Sequence, residues 1–398
     1  MKTYKKYFKE EKKRLEKLEK LHERKEHLKE LLQANPNQES YVVELCGLPR
    51  TGKTVSTERV FSFFKYGNID AKIADEPAFL VKNSLSNEEL KNIYFGAYEF
   101  EETSDGYLQS FQYTKEQVEY FKGAFEMWYE RCTASSAKTL EFTTSATTIS
   151  FDYKLIWKCS LDSFELMVDG LITDIAYVKD IADEGTITWN LPEGKKDVVI
   201  YLPSDATVLI RNFAIDADVK RAVKNEKVLW LGDSITQGYG PLRSSHTYVS
   251  VANRMLNYDI LNQGIGGYIY DKNSLMKMEG YTPDKIIVAL GTNQYGDETM
   301  TAVEEYYERL IGIYGNEIPI LCITPLWRGD SEDGIPTLMA YCEKIKKIVA
   351  QYKNIRVVEG MKLVPHLPEY FLDNLHPNCL GCELYGRNLV KELQKMGF

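Results

Sequence analysis

Ser234 ends the run Lys227-Val228-Leu229-Trp230-Leu231-Gly232-Asp233-Ser234, in which apolar, strand-favouring residues stop at a Gly-Asp turn. A hydroxyl there becomes a working nucleophile only if a base takes its proton and a third group orients that base. Asp373-Asn374-Leu375-His376-Pro377 supplies both, because a carboxylate three residues ahead of an imidazole can reach one ring nitrogen and leave the other for the serine. The chemistry would be acyl transfer, whose tetrahedral oxyanion needs fixed donors, each worth on the order of a hundredfold in rate. Two further segments offer them. Asn262-Gln263-Gly264-Ile265-Gly266-Gly267 lets backbone approach a substrate closely, and Gly291-Thr292-Asn293 sets an amide directly after the apolar run Ile286 to Leu290. Each block also has a plain reading. A lone Gly-Asp-Ser is an ordinary turn, Asp233 reads as a capping group, and Asn293 and Gly267 have local uses in loops. The weight falls on the combination; His22, His27, His246 and His366 have no comparable setting.

These four blocks, in this order, resemble the SGNH (GDSL) hydrolase superfamily. The resemblance implies that Ser234 attacks, that His376 is its base and that Asp373 holds His376. It further implies an oxyanion hole made of the Ser234 N–H, the Gly267 N–H and the Asn293 side chain, with no metal and no cofactor. Two positions depart from the family's habit: Gln294 and Tyr268 stand where many relatives have Asp. Neither removes a catalytic atom, and both bear on the substrate site, which Tyr268 and Trp327 are expected to line.

A second chemistry is written near the N-terminus. Gly47-Leu48-Pro49-Arg50-Thr51-Gly52-Lys53-Thr54 fits G-x-x-x-x-G-K-[ST] between an expected strand and an expected helix. Its N–H groups would cradle phosphates, Lys53 would reach the terminal ones and Thr54 would hold Mg²⁺. With Asp75-Glu76-Pro77 it resembles the start of a P-loop nucleotide kinase or related NTPase, implying ATP and Mg²⁺ at Gly47, Gly52, Lys53 and Thr54. The pattern stops after about two strands, so the segment is read as an incomplete nucleotide-binding module.

The elements that must position these groups divide the chain into four. Residues 1–34 read as a charged amphipathic helix, and 40–92 as the P-loop segment, with a helix over Leu85 to Ile93. Residues 94–218 show short alternating runs separated by turns such as Asp169-Gly170, the signature of an all-β, jelly-roll-like sandwich. Residues 226–398 alternate strands with helices, giving a flavodoxin-like three-layer α/β domain with a parallel sheet. The segment Ser163 to Gly170, with Val208 to Phe213, resembles the small β-sandwich preceding the catalytic domain in one branch of SGNH enzymes. In that branch it packs beside the active site, and the enzymes are esterases or acyltransferases, several acting on sugars. Tyr107, Phe111, Tyr113, Trp128, Tyr129 and Trp157 offer either a sugar-stacking surface or core.

Composition narrows the partners. A formal charge of −9 argues against nucleic acid as the main partner, since phosphate binding needs a basic surface. No stretch approaches a membrane span, and the Lys-rich start has no secretory pattern, so the expected compartment is the cytoplasm. Seven scattered cysteines suit buried thiols better than a disulfide framework, and Cys379-x-x-Cys382 lacks the partners of a zinc site. Three functions remain open. The first is a serine esterase acting on an acyl ester, acetyl foremost, of a carbohydrate-like or other small substrate. The second is an acyltransferase with the same triad, and the third a nucleotide-binding regulator working through the P-loop segment.

Overall fold

The computed structural model describes residues 83–158, 162–330 and 334–398. The expected helix over 1–34, the P-loop segment with Gly47, Gly52, Lys53 and Thr54, and residues Cys46 and Cys159 lie outside them. No helix among the described residues is long and apolar enough to cross a membrane.

Residues 227 onward form a five-stranded parallel sheet in the order Asp259–Gly264, Lys227–Gly232, Lys285–Ala289, Ile320–Ile323, Ile355–Val358. Its strands are apolar on both faces, and alternate residues go to different cores. Val228, Trp230, Ile287, Leu321 and Ile323 pack against the helices Tyr248–Leu256 and Cys379–Met396. Leu229, Leu231, Ile286, Val288, Ile320 and Cys322 face Thr301–Tyr314 and Ile335–Val349. A parallel sheet buried on both sides is the three-layer α/β arrangement expected from the sequence.

Before it come two antiparallel sheets. The first runs Glu99–Glu102, Leu108–Phe111, Ala206–Ile215, Thr148–Lys158, Glu184–Asn190, with Asn83–Ser84 added to Ala206–Ile215. The second runs Val219–Arg221, Thr139–Thr144, Lys196–Tyr201, Ser163–Val168, Leu171–Tyr177, with Tyr94–Phe95 added to Thr139–Thr144. Alternation decides what faces inward. Ile149, Phe151, Tyr153 and Leu155 of one sheet meet Phe142, Phe164, Leu166 and Ile200 of the other in one cluster, with Phe142 edge-on to Phe213. Asp169 and Gly170 both take positive φ, 49° and 80°, the two-residue hairpin turn their sequence signals.

Two boundaries and one stretch of secondary structure differ from the sequence reading. The helix Asn87–Ile93, capped by Ser86 and Glu89, buries Leu90 and Ile93 in the two-sheet cluster. Its residues therefore belong there and not to the P-loop segment, and Val219–Arg221 carries the second sheet past residue 218. Within the stretch read as all-β, Lys115–Ala124 and Glu126–Cys132 are helices, the first opened by a Thr114/Gln117 capping box. Tyr113, Phe121 and Cys132 are buried in the core of the parallel sheet, with Trp128 and Tyr129 packed on it. Core packing thus takes three of the aromatics offered as a stacking surface, and Tyr107 is buried as well.

The outer face of the second sheet lies against the C-terminal residues. Glu165, on the face opposite Leu166, is wholly buried, pairs with Arg243 and accepts from the Ser245 N–H at 3.0 Å.

Candidate active site

Strand Lys227–Gly232 delivers the chain to a single helical turn, Ser234–Gln237. Asp233 caps it, its Oδ1 accepting the Ile235 N–H at 3.0 Å, and Gly238 ends it at φ 119°. The cap fixes where the serine side chain leaves the backbone. Burial pushes the Asp233 carboxyl up to about 7, opposed by the Ile235 N–H and the positive charge of Arg328.

Ser234 Oγ lies 2.8 Å from His376 Nε2, and His376 Nδ1 lies 2.8 Å from Asp373 Oδ2. The loop supporting the pair is tightly specified. Asp373 Oδ1 accepts the His376 N–H at 2.8 Å and the Leu375 N–H at 3.1 Å, with Asn374 at φ 63° between them. Burial works against the charge on Asp373, but these N–H groups and the imidazole outweigh it and hold the carboxyl below its ordinary range. The Tyr239 ring stands edge-on to the imidazole, centroids 4.6 Å apart. An added Cβ on Gly240 would come within 2.4 Å of the Pro377 carbonyl oxygen, so this approach requires glycine.

The second block runs beside the first, with Gly264 opposite Gly232 in the sheet. Gly264 allows the loop to touch the serine helix, since a Cβ there would meet the Gln237 nitrogen at 2.4 Å. Gly267 adopts φ 72° in the turn closed by Tyr268 N–H to Ile265 O. From the third block, Asn293 Nδ2 donates to Tyr268 O at 2.9 Å, tying the amide to the glycine loop. Three blocks thus leave the C-terminal ends of adjacent strands, and the fourth, in the loop before the helix Cys379–Met396, joins them through the contact of His376 with Ser234.

The two departures have structural roles. Gln294 Oε1 accepts the Tyr270 N–H at 2.5 Å and holds the second and third blocks together. Tyr268 is 4% exposed, edge-on to Trp128 and Phe121, and so is packed in the core where it was expected to line the substrate site. Trp327 is half-buried, stacked on His366 and against Phe371.

Several residues at the site were not singled out in the sequence. Arg328 donates to the Thr292 carbonyl at 2.7 Å, pairs with Asp330 and lies over the Tyr295 ring. Gln237 and Asp205 join the glycine loop to the two-sheet unit. Gln237 sits inside the serine block and was readable as part of it, whereas Asp205 carries no local signal. A cavity of about 330 Å³ opens elsewhere, between the second sheet and the helix Tyr248–Leu256. Its lining, which includes Phe95, Tyr201 and Asn253, contains none of Ser234, Gly267, Asn293 and His376.

Residues 230–384 match the GDSL-like Lipase/Acylhydrolase family. This stretch, most of the C-terminal domain, is similar to the GDSL-type acylhydrolases. Solved structures similar to this chain show the same fold at low identity. A salicylyl-acyltransferase from a tetracycline biosynthetic pathway is 17% identical, covering 76% of this chain and 94% of its own, with a TM-score of 0.61. A putative GDSL-like lipase from Bacteroides ovatus is 16% identical over 76% of this chain and 95% of its own, TM-score 0.62. A family two carbohydrate esterase from Clostridium thermocellum, solved with cellohexaose, is 20% identical over 66% of this chain and 94% of its own, TM-score 0.52. Such coverage exceeds what residues 226 onward supply, so the likeness extends into the two-sheet unit. No curated protein matches the sequence.

Proposed function

We propose that the chain is a serine esterase that removes a short acyl group, acetyl foremost, from a hydroxyl of a carbohydrate-like or other small substrate. The observation that carries this is the unbroken line Ser234 Oγ, His376, Asp373, with both contacts at 2.8 Å. With Nδ1–H donated to Asp373, His376 Nε2 is free to take the serine proton as Oγ attacks the ester carbonyl. The oxyanion is received by the N–H groups of Ser234 and Gly267 and by the Asn293 amide. His376 then returns the proton to the departing alcohol, and water attacks the acyl-Ser234 ester by the same route in reverse. The imidazole generates the nucleophile, so the reaction calls on no metal or cofactor. The carbohydrate preference is supported by the fold shared with the family two carbohydrate esterase.

The test is hydrolysis of p-nitrophenyl acetate, beside a longer-chain ester, by the wild type and Ser234→Ala. Short-chain activity that falls by about a thousandfold or more in the variant is expected. Activity retained by Ser234→Ala would remove the assignment. Acetylated sugars then define the alcohol, and product analysis with an added alcohol acceptor shows whether water or that alcohol receives the acyl group.

A further inference from the structure

Gln237 closes the helical turn that Ser234 opens, and its amide is shared between two fixed partners. Oε1 accepts the Gly266 N–H at 2.6 Å, and Nε2 donates to Asp205 Oδ1 at 2.6 Å. Gln237 and Asp205 are each 1% exposed. Asp205 belongs to the two-sheet unit, in the turn leading into the strand Ala206–Ile215. That turn is anchored in its own right. Asp162 Oδ2 accepts the Asp205 N–H at 3.0 Å, while its Oδ1 accepts the Ser163 N–H at 2.7 Å and the Ser244 hydroxyl at 2.8 Å. A buried hydrogen-bonded line therefore runs from the antiparallel sheets, through the residue three places after the nucleophile, into the Ile265–Gly266 peptide, one peptide ahead of the Gly267 N–H.

The chemistry of this line is specific. Position 237 must donate to a carboxylate and accept from a backbone N–H at once, which an uncharged amide does and an ionised Glu or Lys cannot. The need arises because Gly266 and Gly267 are both glycines, whose backbone ranges widely unless it is held, whereas an oxyanion donor works by being in place before charge develops. We propose that Gln237 and Asp205 are positioning residues for the oxyanion site: Asp205 fixes the Gln237 amide, and the amide fixes the Ile265–Gly266 peptide, the plane directly before the Gly266–Gly267 peptide, so that the Gly267 N–H meets the developing charge. This rests on the reading of Gly267 as an oxyanion donor. It makes the two-sheet unit a working part of the active site and more than a packing module.

The experiment measures kcat and KM of the full chain for p-nitrophenyl acetate, with the unfolding midpoint of every variant alongside. Gln237→Glu keeps the acceptor for Gly266 but sets a carboxylate against Asp205. Its kcat is expected to drop about ten- to a hundredfold while KM stays within about threefold, the pattern of a lost transition-state interaction. Adding Asp205→Asn reverses the polarity of the contact, since the Asn amide donates to the carboxylate introduced at position 237 and leaves the Gly266 bond intact. The double variant is expected to recover kcat to within about threefold of wild type. Two results overturn the proposal: Gln237→Glu keeping wild-type kcat, or the double variant regaining its unfolding midpoint without regaining kcat. An inactive wild type, or an active Ser234→Ala, would instead count against the esterase reading, and with it the premise of the proposal.

Discussion

Asn293 is exposed at the end of its strand, yet one hydrogen of its amide is already committed to the Tyr268 carbonyl. That bond orients the amide and leaves the second hydrogen for substrate, so Asn293→Ala removes a donor aimed in advance. Its kcat is expected to fall about a hundred- to a thousandfold, with KM changing far less. Steady-state kinetics on a short ester decides it, and a variant whose loss lies wholly in KM would show Asn293 to be a binding group only. The residues of the proposed triad were legible because each carries its chemistry and its local support together: Asp373 and His376 lie in one turn, and Ser234 directly follows its strand. Gln237 and Asp205 were not, because their contact joins positions 32 apart across two units and neither residue type announces it. Tyr268 was misplaced for a related reason. A strand-end position suggested the pocket, but the helices Lys115–Ala124 and Glu126–Cys132 cover it.

The elements show where pattern reading works and where it gives out. In the parallel sheet, continuous apolar runs bounded by turns leave little choice for Lys227–Gly232 and Lys285–Ala289, whereas Asp259–Gly264, which has Asn262 and Gln263 near its end, carries a weaker signal. The helices over 115–132 escaped because the alternating runs that follow them set the reading for the whole of 94–218, although Thr114 and Gln117 spell a capping box. Capping also sets up a test on the serine turn. Asp233 serves as the cap but is 4% exposed, and its carboxyl is raised from 3.8 to about 7 by burial. A raised acid favours the fold while protonated, so its contribution is fully present below about pH 4 and is lost as pH climbs through about 7. Asp233→Asn keeps the side-chain acceptor for Ile235 and removes the charge. Between pH 5 and pH 8 the wild type is expected to lose more stability than the variant, by roughly 1 to 3 kcal/mol. Asp162, pushed up to about 7 by burial, tilts both proteins in the same direction, so the comparison isolates Asp233. Urea midpoints that fall in parallel would show that Asp233 stays ionised in the fold throughout.

At the scale of the whole molecule, the unexpected feature is the seam between the second sheet and the C-terminal domain. Strand alternation puts Glu165 on the face away from Leu166, where a charged residue reads as solvent-exposed, and the resemblance that set the sandwich beside the active site named no contact between the two. Instead Glu165 is 0% exposed and meets the Arg243 guanidinium, the Ser245 N–H and hydroxyl, and the Ser163 hydroxyl. A buried carboxylate so placed makes one demand, that its cation stay. Removing the cation leaves an uncompensated charge in the interior, which costs about 3 to 5 kcal/mol, whereas removing both charges costs much less. Arg243→Ala is therefore expected to lower stability by about that amount, and Glu165→Gln in the same chain to restore much of it, since the Gln oxygen still accepts from Ser245. The sequence of effects matters more than either value. If urea unfolding gives a single transition that moves down with Arg243→Ala and back with the double variant, the seam is closed and the two units unfold as one. If Arg243→Ala costs under about 1 kcal/mol, water reaches Glu165 and the seam opens. The hydrogen-bonded line through Asp205 and Gln237 crosses the same seam, so an opening seam would also leave the glycine loop without its support from the antiparallel sheets.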